Sequence, residues 1–229
     1  MNAADPNINV LELVAEALGS LREELVLVGG CSVGLLITDT ARPPVRETVD
    51  VDMVAQVASI LEYYQTAKRL RACGFTEASD DKNMCRWRHG NLILDVLPSN
   101  ESILGHSTNQ WYPAAVSTSQ VAQLPSGLKI RVVTAPLFLA TKFDAFHSRG
   151  EGDYLRHDME DIVNLVDGRI EILKEIVECP AEDYLRNEFD DLIADTAFLD
   201  VLPAHFRGDA TSQARVAVVL ERMRKLAGL

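Results

Sequence analysis

Apolar positions change their period several times along the chain, and each change marks an element. Val10, Leu13, Val14 and Leu18 recur at i, i+3, i+4 and i+8, which predicts an amphipathic helix over residues 9–21. A continuous apolar run, Leu25-Val26-Leu27-Val28, then stops at Gly29-Gly30 and reads as a buried strand ending in a turn. A small-residue helical stretch is predicted from near Ser32. After a basic loop with Arg42 and Arg46 the chain returns through Val49-Asp50-Val51-Asp52-Met53, where apolar and acidic residues alternate. A helix over residues 59–71 is closed by Cys73-Gly74, with Leu61, Tyr64 and Leu70 expected in the core. Phe75 opens another strand, and Met84–Arg88 with Leu92–Val96 predict an antiparallel pair joined by His89-Gly90-Asn91. The stretch from Leu104 to Pro113, with His106 as polar lining and the pair Trp111-Tyr112, reads as an irregular loop. That pair either stacks on a base or plugs the underside of the sheet, and the plug is the preferred reading.

The second half turns helical. Leu128–Val133 is a short strand, and Thr134-Ala135-Pro136 starts a helix with an N-cap Thr and a Pro in its first turn. On that helix Lys142 lies between Phe138/Ala145 and Leu139/Phe146, the centre of an apolar arc. A lysine there either extends along its stem to water or pairs with a buried anion. A connector, Arg149-Gly150-Glu151-Gly152, leads to a helix over residues 153–166 with the stripe Leu155, Met159, Ile162, Val163 and Val166. Asp158 borders this stripe, with Glu160 and Asp161 further out. From Arg169 to Leu229 the pattern is helical, punctuated at Cys179-Pro180, Leu202-Pro203 and Arg207-Gly208-Asp209. Its last helix, residues 212–226, carries Val216, Val219, Leu220 and Met223 along one stripe. Neither a repeat nor a low-complexity segment interrupts the pattern.

Composition narrows the setting. With 229 residues, 47% of them hydrophobic, the chain can bury a proper core as one large domain or two small ones. It has no apolar run long enough to span a membrane and no signal-peptide pattern at its start, so a cytoplasmic location without membrane partners is expected. Cys31, Cys73, Cys85 and Cys179 are scattered without metal-finger spacing, the pattern of free thiols in a reducing compartment. The net charge of −12 argues against a broad nucleic-acid surface but leaves room for a local patch. Arg42, Arg46, Lys68, Arg69, Arg71, Arg86 and Arg88 all fall in the first half.

The acids carry the candidate chemistry. Residues i and i+2 of a strand share a face, so Asp50 and Asp52 stand side by side, where they repel unless a cation sits between them or one is protonated. Mg²⁺ suits such oxygens, since it takes one or two carboxylates and leaves its other positions to water and phosphates. Gly29-Gly30 lets backbone amides approach a ligand, and a helix beginning near Ser32 would aim its N–H groups at an anion. Asp95 shares its strand face with Ile93 and Leu97, so it needs a cation or hydrogen bonds. Each part alone has a plain alternative: Gly-Gly is a common turn, and Asp-x-Asp a common solvated strand edge. The order of the parts is more specific than any one of them.

That order, Gly29-Gly30-Cys31-Ser32 followed by Thr48-Val49-Asp50-Val51-Asp52, resembles the signature of the polymerase-beta-like nucleotidyltransferase superfamily, closest to the AbiEii/AbiGii toxin-like branch. Many members have Gly-Ser where this chain has Gly30-Cys31-Ser32. The resemblance spans roughly residues 22–168, including Ala140-Thr141-Lys142-Phe143 and the helical stretch Arg156–Ile162. It implies an α+β fold, a small mixed sheet flanked by helices in residues 1–134 and a helical bundle in residues 135–229. It further implies NTP and Mg²⁺, two ions by expectation, with Asp50, Asp52 and Asp95 as catalytic metal ligands and Gly29, Gly30, Ser32 and Arg46 around the nucleotide. Lys142 would contact the triphosphate and Asp158, chosen over Asp161, would hold that lysine. The implied reaction moves an NMP from an NTP to a hydroxyl. Its acceptor would be tRNA, in a toxin paired with an antitoxin protein, or a small antibiotic-type hydroxyl compound. A nucleotide-binding or interaction module without turnover is the remaining alternative.

Overall fold

The computed structural model describes residues 5–78, 85–103, 109–149, 152–177 and 179–229. The expected strand start at Met84, His106 with its loop through Thr108, and Gly150-Glu151 of the connector lie outside them. The fold is α+β, and the chain divides into two units: residues 1–35 with 43–134, and residues 36–42 with 135–229. The segment Leu36–Arg42 therefore belongs with the helical second half although it precedes most of the sheet.

The first unit is built on a seven-stranded mixed sheet. Its strands are β1 (Leu25–Leu27), β2 (Val51–Ala55), β3 (Thr76–Glu77), β4 (Arg86–His89), β5 (Leu92–Pro98), β6 (Gln120–Gln123) and β7 (Lys129–Val132), in the order β3-β4-β5-β2-β1-β7-β6. β2 runs parallel to β5 and β1 parallel to β7, while the other neighbours are antiparallel. Parallel neighbours require crossovers, and between β2 and β5 the chain supplies helix α3 (Ile60–Ala72). Leu25 to Val28 are buried throughout, as a central strand covered on both faces must be. Between β4 and β5 the chain turns through Gly90 at φ 58°, a backbone state that glycine enters without a Cβ penalty.

Two helices bury a face shifted from the one their spacing suggested, although Val14, Leu18 and Leu70 are buried as expected. In α1 (Ile8–Leu18) the buried residues are Leu11, Val14, Ala15 and Leu18, while Leu13 is 54% exposed. In α3 the buried set is Tyr63, Ala67 and Leu70; Leu61 and Tyr64 face solvent. Sparse apolar residues leave two nearly equivalent arcs on a helical wheel, and the sheet selects one. Tyr63 donates its hydroxyl to the Val96 carbonyl at 3.0 Å, which fixes α3 on β5 by a bond that no wheel contains. Ser59 caps α3 by accepting the Glu62 amide. The loop around Trp111 resolves into a short helix, α4 (Tyr112–Ser117), and β6 is an edge strand that the sequence pattern did not mark.

The second unit is helical: α5 (Ala135–Arg149), α6 (His157–Gly168), α7 (Ile172–Glu175), α8 (Glu182–Ala194), α9 (Thr196–Val201) and α10 (Ala210–Leu226), with α2 (Val33–Leu36) leading into its first segment. Helix α6 begins at His157, four residues later than its apolar stripe suggested, and Leu155 is exposed in the turn before it. A buried ionic network holds the Leu36–Arg42 segment. Arg42 donates from Nε to Asp167 at 2.7 Å and also bonds Asn164, and Arg215 bridges Asp167 to Asp39. Arg42, expected in a basic loop, is therefore an interior residue. Two more of the basic residues are committed to ion pairs: Arg69 to Glu24, and Arg71 to Glu77 while stacking over Trp87. No described helix is long and apolar enough to cross a membrane, and the four cysteines are free.

Candidate active site

The site is assembled by strand register. β2 pairs with β5 so that Asp52 lies opposite Asp95, and β5 pairs with β4 so that Asp95 lies opposite Arg86. Residues opposite one another in paired strands share a face. Asp52, Asp95 and Arg86 therefore form one row across three strands, and Asp50, two residues before Asp52, joins it just ahead of β2. Asp95 stands on the face of the sheet that Asp50 and Asp52 also occupy.

Arg86 binds the row together. Its Nε donates to Asp95 Oδ1 at 2.8 Å, and its Nη2 donates to Asp95 Oδ2 at 2.8 Å and to Asp50 Oδ2 at 2.7 Å. The bond to Asp95 is the two-pronged fork that guanidinium geometry favours. It meets the need that burial imposes, since the Asp95 side chain is only 5% exposed, whereas that of Asp50 is 37% exposed. The sequence placed Arg86 only among general basic residues. The signal available was its position facing Asp95 in the hairpin, which requires the register to be known.

The glycine turn is shaped around the acids. Gly29 has φ 59°, and an ideal Cβ on it would lie 2.0 Å from Asp52 Oδ2. Val28 donates its amide to the Asp52 carbonyl at 2.9 Å, so the turn and the acid are locked side by side. Ser32 is fully buried, and its hydroxyl donates to the Gly29 carbonyl at 2.8 Å, closing the turn. The helix expected near Ser32 is a 3₁₀ turn, Gly30–Ser32, followed by the four-residue α2, so little helix dipole is available for an anion. Arg46 is half-buried, and its carbonyl accepts from Asn7.

A second layer that the sequence did not suggest fixes Asp50. Cys31 contacts the Thr48 hydroxyl at 2.6 Å and donates to the Asp50 carbonyl at 3.3 Å. Asn7, fully buried, accepts both the amide and the hydroxyl of Thr48. Burial pushes the Cys31 thiol up to about 12, with the charges of Asp52, Asp50 and Asp5 adding to the effect, so it stays protonated and serves as a hydrogen-bonding strut. Asp5 accepts the Asn7 amide through Oδ1, but its buried Oδ2 has no hydrogen-bond partner among the described residues and sits where a Cβ on Gly34 would be. Burial raises the Asp5 carboxyl above its ordinary value.

The expected lysine lies in the second unit. Lys142 is buried, donates to Asp158 Oδ1 at 3.0 Å and pairs with Asp161 Oδ2 at 2.7 Å. Asp161 is thus as much its partner as Asp158, because α6 turns both residues inward; their exposures are 1% and 5%. Burial by itself would lower the Lys142 ammonium, but the two carboxylates outweigh it and hold the group above the ordinary lysine value. Burial likewise opposes ionisation of Asp158, and Lys142 with Arg149 reverses this to hold its carboxyl below the usual range.

The donor set of the first unit suits a hard dication. Asp50 and Asp52 present carboxylate oxygens on one face at the more open end of the row. Among the described residues, however, no three His, Cys, Asp or Glu side chains are already spaced as a metal cradle. A guanidinium stands between two of the three acids instead.

No family model matches the chain, and no curated protein matches it. Solved structures do resemble it. An antigenic nucleotidyltransferase-like protein from Paracoccidioides brasiliensis is 20% identical over 84% of this chain and 93% of its own, with a TM-score of 0.47. The antibiotic-resistance factor ANT(2'')-Ia is 13% identical over 80% of this chain and 96% of its own, with a TM-score of 0.48. JHP933 from Helicobacter pylori is 13% identical over 98% of this chain and 93% of its own, with a TM-score of 0.43.

Proposed function

We propose that the chain is a Mg²⁺-dependent nucleotidyltransferase that moves an NMP from an NTP to an acceptor hydroxyl. The observation that carries this reading is the level placement of Asp52 and Asp95 on parallel neighbours β2 and β5, with Asp50 drawn into the same row. Three acids gathered from two strands, one of them buried, are not a solvated strand edge. They are a costly arrangement that a fold keeps only when something offsets the repulsion.

Asp50 and Asp52 would hold the metal, which when bound supplies Lewis-acid polarisation of phosphoryl oxygens. Asp95 would accept the proton of the attacking hydroxyl, and Arg86 orients it by gripping both of its oxygens. Gly29 leaves the space beside Asp52 that any side chain would fill. The acceptor is a tRNA, in a toxin restrained by an antitoxin, or a small hydroxyl compound. The acidic charge of the chain favours an acceptor met through a small patch. One observation supports a second reading: Arg86 already neutralises two of the acids, as it would in a module that binds nucleotide without turnover.

The test is incubation with each labelled NTP, Mg²⁺ and either total RNA or a panel of small hydroxyl compounds. Label transferred by the wild type and lost in Asp52→Ala supports the transferase. Nucleotide binding with no transfer to either acceptor class supports the module.

A further inference from the structure

We infer that Arg86 is the built-in counter-cation of the acid row, and that it must release Asp50 when a dication binds there, so that Arg86 sets the affinity of the site for metal. The inference rests on the transferase reading only for the identity of the site, not for its charge balance. Three features of the geometry support it.

First, one nitrogen is shared. Nη2 of Arg86 serves both Asp50 and Asp95, and Nε donates to Asp95. Second, the two grips differ in strength. Asp95 is held by a buried fork and Asp50 by a single bond at a side chain more than one-third exposed, where water weakens the pairing. When a stronger cation competes, Asp50 is the arm that lets go. Third, Arg86 already takes Oδ2 of Asp50, one of the oxygens that a dication would use. A guanidinium and a Mg²⁺ ion that share one carboxylate stand only about 4 Å apart, and like charges at that range repel strongly in a partly dry site. Arg86 therefore keeps the row compact in the absence of metal, raises the concentration of metal needed to enter it, and continues to orient Asp95 afterwards.

The probe is Mn²⁺, followed by electron paramagnetic resonance of the free ion, on the wild type, Arg86→Gln and Arg86→Lys. Removing the guanidinium charge should tighten Mn²⁺ binding by about tenfold or more, with Arg86→Lys in between. Circular dichroism checks that each variant is folded. In the wild type, the Arg86 Nε–H resonance, assigned by its loss in Arg86→Lys, should shift as Mg²⁺ is added. Mn²⁺ affinity in Arg86→Gln equal to or below that of the wild type overturns the inference. Should that variant fail to fold, an Arg86 resonance unmoved by Mg²⁺ overturns it instead.

The outcomes also separate it from the proposed reaction. NMP transfer by the wild type, with no gain of Mn²⁺ affinity in Arg86→Gln, removes the counter-cation role and keeps the enzyme. Tight Mn²⁺ binding by Arg86→Gln, with no transfer from any NTP, keeps the counter-cation role and removes the enzyme.

Discussion

Gly29 and Asp52 occupy space that admits only one side chain: a Cβ on Gly29 would stand 2.0 Å from the Oδ2 of Asp52. The glycine is thus required by the acid beside it as well as by its own φ of 59°. Gly29→Ala should push Asp52 out of the row and lower stability by roughly 2 kcal/mol or more, through backbone strain and overpacking. Urea unfolding measures the loss, and label transfer should fall with it. A variant as stable and as active as the wild type would refute the steric reading.

Lys142 with Asp158 and Asp161 makes a buried ionic triad inside the second unit. Lys142→Met keeps much of the volume but takes the ammonium away from two interior carboxylates, of which Asp158 keeps Arg149, and should cost about 3 kcal/mol. Adding Asp158→Asn and Asp161→Asn should recover a large part of that loss. Denaturant unfolding of the single and triple variants decides the matter; a loss below about 1 kcal/mol in Lys142→Met would mean the triad contributes little.

The same triad gives a signature in acid. The folded-state carboxyl of Asp158 lies below its ordinary value of 3.8. Its stabilisation is therefore complete above that value and is lost as pH falls through the depressed folded value. Asp158→Asn should flatten this part of the acid limb of the melting temperature. An unchanged limb would show that Asp158 is not linked to acid unfolding.

Asp5 has the opposite sign. Its folded-state carboxyl is raised by burial, so the folded chain holds the proton more tightly than the unfolded one, and stability falls as pH rises above the ordinary value of 3.8. Asp5→Asn keeps the acceptor for the Asn7 amide and removes the charge. Thermal melts should show the variant more stable than the wild type at pH 7, with the advantage gone at pH 3. A variant less stable at pH 7 would mean that the charged form of Asp5 is needed.

In the ionic network around the Leu36–Arg42 segment, Asp167 is 1% exposed and shared by Arg42 and Arg215. Because Arg215 stays as a partner, Arg42→Met should cost about 2 kcal/mol, less than breaking an isolated buried pair. Arg42→Met combined with Arg215→Met should cost more than the sum of the two, because Asp167 then keeps neither partner. Strict additivity in a double-mutant cycle would show that the arginines act independently.

Much of this was legible in local pattern. The alternation in Val49–Met53 set Asp50 and Asp52 on one face, and the alternation in Leu92–Val96 exposed Asp95 as a carboxylate in an apolar position. The apolar arc around Lys142 marked a cation that either reached water along its stem or paired with a buried anion, and α6 supplies the anion. Helix faces were less readable. Leu13, Leu61 and Tyr64 fit an apolar stripe yet face solvent, because the side of a helix that becomes buried depends on what it lies against. Asp161, read as an outer acid, is interior for the same reason.

By itself the sequence determined which residues alternate, and that the paired acids needed a cation or a proton, since these follow from periods and charges confined to a few neighbouring positions. Only the tertiary structure decided that the cation beside Asp95 is Arg86 and that Asp52 and Asp95 stand level. Those facts depend on register between strands far apart in the chain, and a shift by one residue would have turned every one of these side chains to the other face.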